Sequence, residues 1–121
     1  MTSYSYSDYS SIPSINVEQL AQVIAERGES IQLIDVREPH EVEMAYVEGF
    51  FVLPLSEFVE WSEDLKTHLN PEVETIVMCH HGIRSAQMCQ WLFSVGFTDV
   101  KNVTGGIDAY SLVVDPTIPR Y

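Results

Sequence analysis

Four short runs of apolar, mostly branched residues punctuate this chain: IQLIDV at 31–36, GFFVL at 49–53, TIVM at 75–78 and VKNV at 100–103. All are too short for a buried helix and are bounded by Gly, Pro or polar turn residues, which marks them as buried strands. Segments with helical periodicity lie between them. Strands alternating with helices dictate a parallel sheet covered on both faces, because each parallel connection must cross over one face. In such a sheet, ligands sit beyond the carboxyl ends of the strands. Two segments emerge there with polar residues, Asp35-Val36-Arg37 and Cys79 to Arg84.

The helical segments carry their own punctuation. Asn16 caps a helix that starts at Val17, with Glu18 in its first turn and Gln19 in capping-box spacing. Leu20, Val23 and Ile24 form its apolar stripe, and Gly28 ends it. Glu38-Pro39 breaks the first strand, and a short helix follows around residues 41–44. Residues 55–69 read as mostly helical, with Asn70-Pro71 after them, and residues 85–95 as a helix stopped by Gly96. Gly105-Gly106 opens a last short helix before a Pro-containing tail.

A length of 121 residues suits one domain, here placed at 12–121 behind a flexible Ser- and Tyr-rich tail at 1–11. The net charge of -12 argues against nucleic acid, which demands a basic footprint, and against an anionic membrane surface. Two cysteines, Cys79 and Cys89, are too few for a disulfide framework and point to a reducing compartment. The start MTSYSYSDYSS lacks both the basic and the apolar region of a signal peptide, so a soluble, cytoplasmic protein is expected.

Residues 75–98 contain no Asp or Glu, although about 3.6 would be expected from 18 in 121. Their only formal charge is Arg84; His80 and His81 add more when protonated. A buried strand and helix exclude charge on their own account, but the loop sharpens the case. Cys79 follows the strand, Gly82 permits a positive φ, and Arg84 and Ser85 start the next helix. Such a loop aims several backbone N–H groups at one spot, reinforced by the helix N-terminus. A cysteine at its rim has its thiolate stabilised and becomes an activated nucleophile.

Cys79-His80-His81-Gly82-Ile83-Arg84-Ser85 resembles the C-x-x-G-x-R-S active loop of the rhodanese family of sulfurtransferases. The likeness runs from about Ile15 to Tyr110. LIDVRE at 33–38 is similar to the family's strand-end signature, Gly49 with Leu53-Pro54-Leu55 to the segment after it, and Gly96-Phe97, Val100 and Gly105-Gly106 to its closing strand and turn. The resemblance implies a doubly wound, mostly parallel five-stranded sheet with helices on both faces. It implies that Cys79 takes the outer sulfur of a donor such as thiosulfate, holds it as a persulfide, and passes it to cyanide or a thiol, with no metal or organic cofactor. The partners are then a small-molecule sulfur donor and acceptor, including a thiol-bearing acceptor protein. Within the loop, Arg84 would hold the donor's oxyanion or anchor the loop, and His80 and His81 would shape its mouth.

Alternatives are a sulfur-carrier or redox-sensing module with little turnover on thiosulfate, and a cysteine phosphatase or arsenate reductase. Phosphatase loops place five residues between Cys and Arg with His before Cys; here four intervene and Met78 precedes Cys79. The chain also departs from the family, with Ala45-Tyr46-Val47-Glu48-Gly49-Phe50 in place of G-H-I-P-G-A and Tyr110 where a Trp is common. Asp35 and Arg37 read as a supporting ion pair rather than as catalytic groups. Cys89 shares a stripe with Ala86 and Phe93 and reads as core. Adjacent histidines with one cysteine do not match zinc spacing, and His40 and His68 read as surface residues.

Overall fold

The computed structural model describes residues 11–121, so the expected tail lies, apart from Ser11, outside the described residues. Five strands form one sheet: β1 (Ser14–Ile15), β2 (Gln32–Asp35), β3 (Phe51–Val52), β4 (Thr75–Met78) and β5 (Val100–Val103). Their order is β1-β5-β4-β2-β3, and every pairing is parallel, with β4 at the centre. Leu33 pairs with Ile76 and Asp35 with Met78 across β2 and β4. That register brings the ends of both strands, and so Arg37 and Cys79, to the same edge of the sheet.

Alternation along the strands sorts the core onto two faces. Ile34 and Val77 point to one face, where they meet Trp61, Ala86, Cys89 and Leu92. Leu33, Ile76 and Met78 point to the other, among Val17, Leu20, Ile107 and Tyr110. Helices α3 (Phe58–Ser62) and α4 (Ile83–Ser94) therefore cover the first face, and α1 (Val17–Arg27) and α5 (Gly106–Val113) the second. The doubly wound reading holds, and the sheet is wholly parallel.

Local chemistry accounts for most element starts. The Asn16 side chain accepts the N–H of Gln19 at 2.8 Å, and the Gln19 side chain accepts that of Asn16 at 2.9 Å, closing the capping box. Gly28 follows α1 with a φ of -58°, so the chain tightens into a 3-10 turn instead of turning left-handed. Helix α2 (Pro39–Met44) begins two residues earlier than expected. Pro39 ends the strand and also starts this helix, since its fixed φ and missing N–H suit the first helical position.

The expected helix over 55–69 is a correction. It is three pieces: a 3-10 turn at Leu55–Glu57, α3, and a 3-10 turn at Leu65–Thr67. The Trp61 indole N–H donates to the Pro54 carbonyl at 2.7 Å, and Thr67 and His68 donate three residues back to Asp64 and Leu65. Those local bonds replace a continuous α-helical ladder. Among the described residues no helix is long and apolar enough to cross a membrane.

Candidate active site

Strand β4 delivers Cys79 into a tight loop, and α4 starts four residues later. Only 1% of Cys79 is exposed. Its Sγ accepts the backbone N–H of Gly82 at 3.0 Å and lies 3.2 Å from the Ser85 hydroxyl. Gly82 has a φ of 103°, and a Cβ there would crowd the Val103 carbonyl at 3.2 Å, so the loop closes on glycine. Sulfur thus sits at the N-terminus of a twelve-residue helix, where unpaired N–H groups and the helix dipole favour negative charge.

Strand β5 and α5 complete the loop from the other side. The Ser85 hydroxyl also lies 2.5 Å from Asn102 Oδ1, and Asn102 Nδ2 donates to the Gly82 carbonyl at 3.0 Å. Ile107 and Asp108 donate their N–H groups to the carbonyls of Cys79 and His80 at 2.9 and 3.1 Å. The first turn of α5 therefore satisfies its own orphan donors on the loop backbone. Gly106, with a φ of 60°, makes that approach possible: a Cβ there would drive into both carbonyl oxygens.

The ion pairs beside the loop form a relay. Arg84 Nη1 and Nη2 grip Glu41 Oε1 and Oε2 at 2.7 and 3.0 Å, a bidentate fork. The Tyr121 hydroxyl donates to Glu41 Oε2 at 2.8 Å and accepts from Arg37 Nη1 at 2.9 Å. The Arg84 guanidinium, ahead of the opposing effect of burial, holds the Glu41 carboxyl down at about 2. Arg37 is fully buried and uses every donor it has. Nε and Nη2 bind the Asp35 carboxylate, Nη2 also reaches the Ala45 carbonyl at 2.9 Å, and Nη1 also reaches the Glu41 carbonyl at 3.2 Å. This pair joins the end of β2 to the last carbonyls of α2.

His80 is sandwiched between the rings of Tyr121 and His81, each 3.9 Å away, the former within 7° of parallel. Burial first, and the neighbouring His81 second, keep its pKa below the ordinary histidine value. His81 lies 4.0 Å from Asp108, and Ile83, 67% exposed, stands on the rim. Cys89 is fully buried in the core, where burial pushes its thiol up to about 12. The two segments that depart from the family, around Tyr46 and at Tyr110, share one open cleft of about 580 Å³ with Met44 and Ile118; no residue of the Cys79 loop lines it.

The structure thus brings Cys79, Gly82, Arg84 and Ser85 together with Asp35 and Arg37 one layer behind. Sequence reasoning missed Glu41, Asn102 and Tyr121. Asn102 was detectable as a polar residue in an apolar strand, and Glu41 as the third helical residue after Glu38, whose N–H it accepts at 3.0 Å. Tyr121 carried no local signal, being 84 residues from the Arg37 it touches.

A family profile described as Rhodanese-like domain matches residues 16–112. The chain belongs to the rhodanese-like family. The rhodanese-like domain is 49% identical over 112 residues to "Rhodanese-like/PpiC domain-containing protein 12, chloroplastic" of Arabidopsis thaliana, covering 91% of this chain and 38% of that one. It is 35% identical to "Putative sulfur carrier protein YrkF" of Bacillus subtilis, covering 86% and 54%. It is 30% identical to "Thiosulfate sulfurtransferase GlpE" of Vibrio cholerae, covering 74% and 80%. The chain thus spans about two fifths to one half of the first two relatives. Among solved structures, a rhodanese-like domain protein of Staphylococcus aureus superposes with a TM-score of 0.72 at 25% identity, covering 91% of this chain and 99% of that one.

Proposed function

We propose that this rhodanese-like domain is a sulfurtransferase that carries sulfane sulfur on Cys79. The carrying observation is the cradle itself: Cys79 Sγ accepts a backbone N–H at a helix N-terminus, beside the Ser85 hydroxyl, in a loop without a carboxylate of its own. In the first half-reaction the Cys79 thiolate attacks the outer sulfur of thiosulfate. A new S–S bond forms, the donor's S–S bond breaks, and its electron pair leaves on sulfite. In the second, cyanide or a thiolate attacks the outer sulfur of the persulfide, and the electron pair returns to Cys79. The loop's N–H groups stabilise sulfur charge in both resting states, and the chemistry needs neither metal nor organic cofactor. We place this activity in a reducing, cytoplasmic setting.

Initial rates with thiosulfate and cyanide test it. Parallel double-reciprocal lines, abolished by Cys79→Ser and kept by Cys89→Ser, support the ping-pong cycle; intersecting lines, or equal loss in both variants, contradict it. A second reading is a carrier loaded by a partner protein, with little turnover on thiosulfate. The Arg84–Glu41 pair favours it, because the loop's guanidinium is already occupied; a relative named as a sulfur carrier is consistent with it.

A further inference from the structure

Among the described residues, no Lys or Arg near Cys79 is free of a carboxylate. Of the six Lys and Arg residues, five are held by carboxylates: Arg27 and Lys101 on Glu74, Arg37 on Asp35, Arg84 on Glu41 and Arg120 on Asp108. Lys66 has no ion pair among the described residues and lies beside Gly96, past the far end of α4 from the loop. That helix puts roughly 18 Å between the two.

Glu41 is engaged independently of any substrate. Both oxygens take the Arg84 fork, Oε1 also accepts the Glu38 N–H at 3.0 Å, and Oε2 the Tyr121 hydroxyl at 2.8 Å. Swinging Arg84 onto a donor would leave this buried carboxylate unpaired, which is strongly unfavourable. No Lys or Arg is then left to attract an anion at Cys79, inside a chain of net charge -12, and of the two loop histidines His80 is stacked between rings and His81 faces Asp108.

We propose that Glu41 is a specificity-determining residue of the Cys79 site: by neutralising Arg84 it disfavours donors whose leaving group is sulfite, and selects persulfides borne on a thiol. The inference rests on the reading of Cys79 as the sulfur-carrying nucleophile. With a thiol-borne donor R–S–SH, the Cys79 thiolate bonds to the outer sulfur, the donor's S–S bond breaks, and R–S⁻ leaves with the electron pair and takes a proton from water. No oxidant or reductant is consumed.

The test compares loading of Cys79 by thiosulfate and by N-acetylcysteine methyl ester persulfide, which carries no charge beyond its sulfur. The variants are Glu41→Gln, Glu41→Asp and the remote Glu74→Gln, which changes net charge by the same unit. Freeing a guanidinium for a charge-assisted bond to the sulfonate should lower the thiosulfate KM of Glu41→Gln about tenfold, with a far smaller change for the persulfide. Glu41→Asp keeps the charge and Glu74→Gln keeps the pair, so neither should lower it. An unchanged or higher thiosulfate KM in Glu41→Gln, or an equal gain in either companion, overturns the proposal.

Should Glu41→Gln not fold, the wild-type protein decides. Added salt should raise thiosulfate loading by screening repulsion and leave persulfide loading flat; thiosulfate loading as fast as persulfide loading at low salt overturns the proposal. The same persulfide on a single-cysteine peptide separates the sources. Faster loading from the peptide points to a protein donor, and equal or slower loading to a small thiol; either supports the selectivity. No sulfur on Cys79 from any donor in any variant overturns the Cys79 reading, and this proposal with it.

Discussion

Ser85 has one hydroxyl proton and two neighbours that can accept it, Cys79 Sγ at 3.2 Å and Asn102 Oδ1 at 2.5 Å. With a thiol at Cys79 the proton belongs on Asn102; with a thiolate it is better placed on sulfur, because charge-assisted bonds are the stronger kind. Ser85→Ala removes the sulfur's partner and strands a buried amide oxygen. It should slow alkylation of Cys79 at neutral pH about tenfold and cost about 1–2 kcal/mol of stability, read by iodoacetamide kinetics and urea unfolding. An unchanged alkylation rate would show that the hydroxyl serves Asn102 alone.

Glu41 gives the pH dependence of the same neighbourhood. Its pKa is depressed from 4.5 to about 2, so the stability it contributes is fully present above 4.5 and is lost as pH falls through about 2. The depression corresponds to about 3 kcal/mol. The difference in unfolding free energy between the wild-type protein and Glu41→Gln should therefore shrink as pH drops across that window. A difference independent of pH would contradict the ion-pair account.

Among elements, those with a strong local cause were legible. Branched runs bounded by breakers gave β2, β4 and β5, and Asn16 with Gln19 gave the start of α1; the run at 49–53, expected as a buried strand, is only the two-residue edge strand β3, with Phe51 exposed. Strand β1 was not legible, because two residues have no period and its pairing is decided by β5, nearly ninety positions away. The segment 55–69 has helical composition, but the contact of Trp61 with the Pro54 carbonyl breaks it into short turns. Glycines show the contrast between local and tertiary demand. Gly106→Ala forces a methyl group into the Cys79 and His80 carbonyls and should abolish loading or soluble expression. Gly28 has helical φ, and a Cβ there would sit at ordinary contact, 3.7 Å from Ile24. Gly28→Ala should be tolerated and stabilise by about 0.5 kcal/mol, measured by thermal unfolding. A destabilised Gly28→Ala would overturn this reading of the turn.

At the scale of the molecule, Arg37 ties β2 to the end of α2, and through Tyr121 the last residue of the chain to Glu41 and the loop. Arg37→Ala leaves Asp35 buried without its partner and should cost about 3–5 kcal/mol of stability. Arg84→Ala leaves Glu41 the Tyr121 hydroxyl and the Glu38 N–H but no countercharge, so it should cost somewhat less stability than Arg37→Ala, and by leaving that carboxylate uncompensated beside the loop it should weaken thiosulfate use more. The reverse order in urea titration and kinetics would move the functional arginine to the other strand end. Much of this site was legible because its chemistry is contiguous: Cys79, Gly82, Arg84 and Ser85 lie within seven residues. The rest comes from α2, β5 and the chain end, which only the folded sheet brings to the loop.

Whether sulfur resides on Cys79 is read directly by mass. The protein is incubated with thiosulfate, and in parallel with an alkyl persulfide, beside Cys79→Ser, and weighed intact before and after cyanide. A gain of one sulfur from at least one donor, absent in Cys79→Ser and discharged by cyanide, is expected. A gain that persists in Cys79→Ser, or no gain from either donor, would contradict the Cys79 assignment.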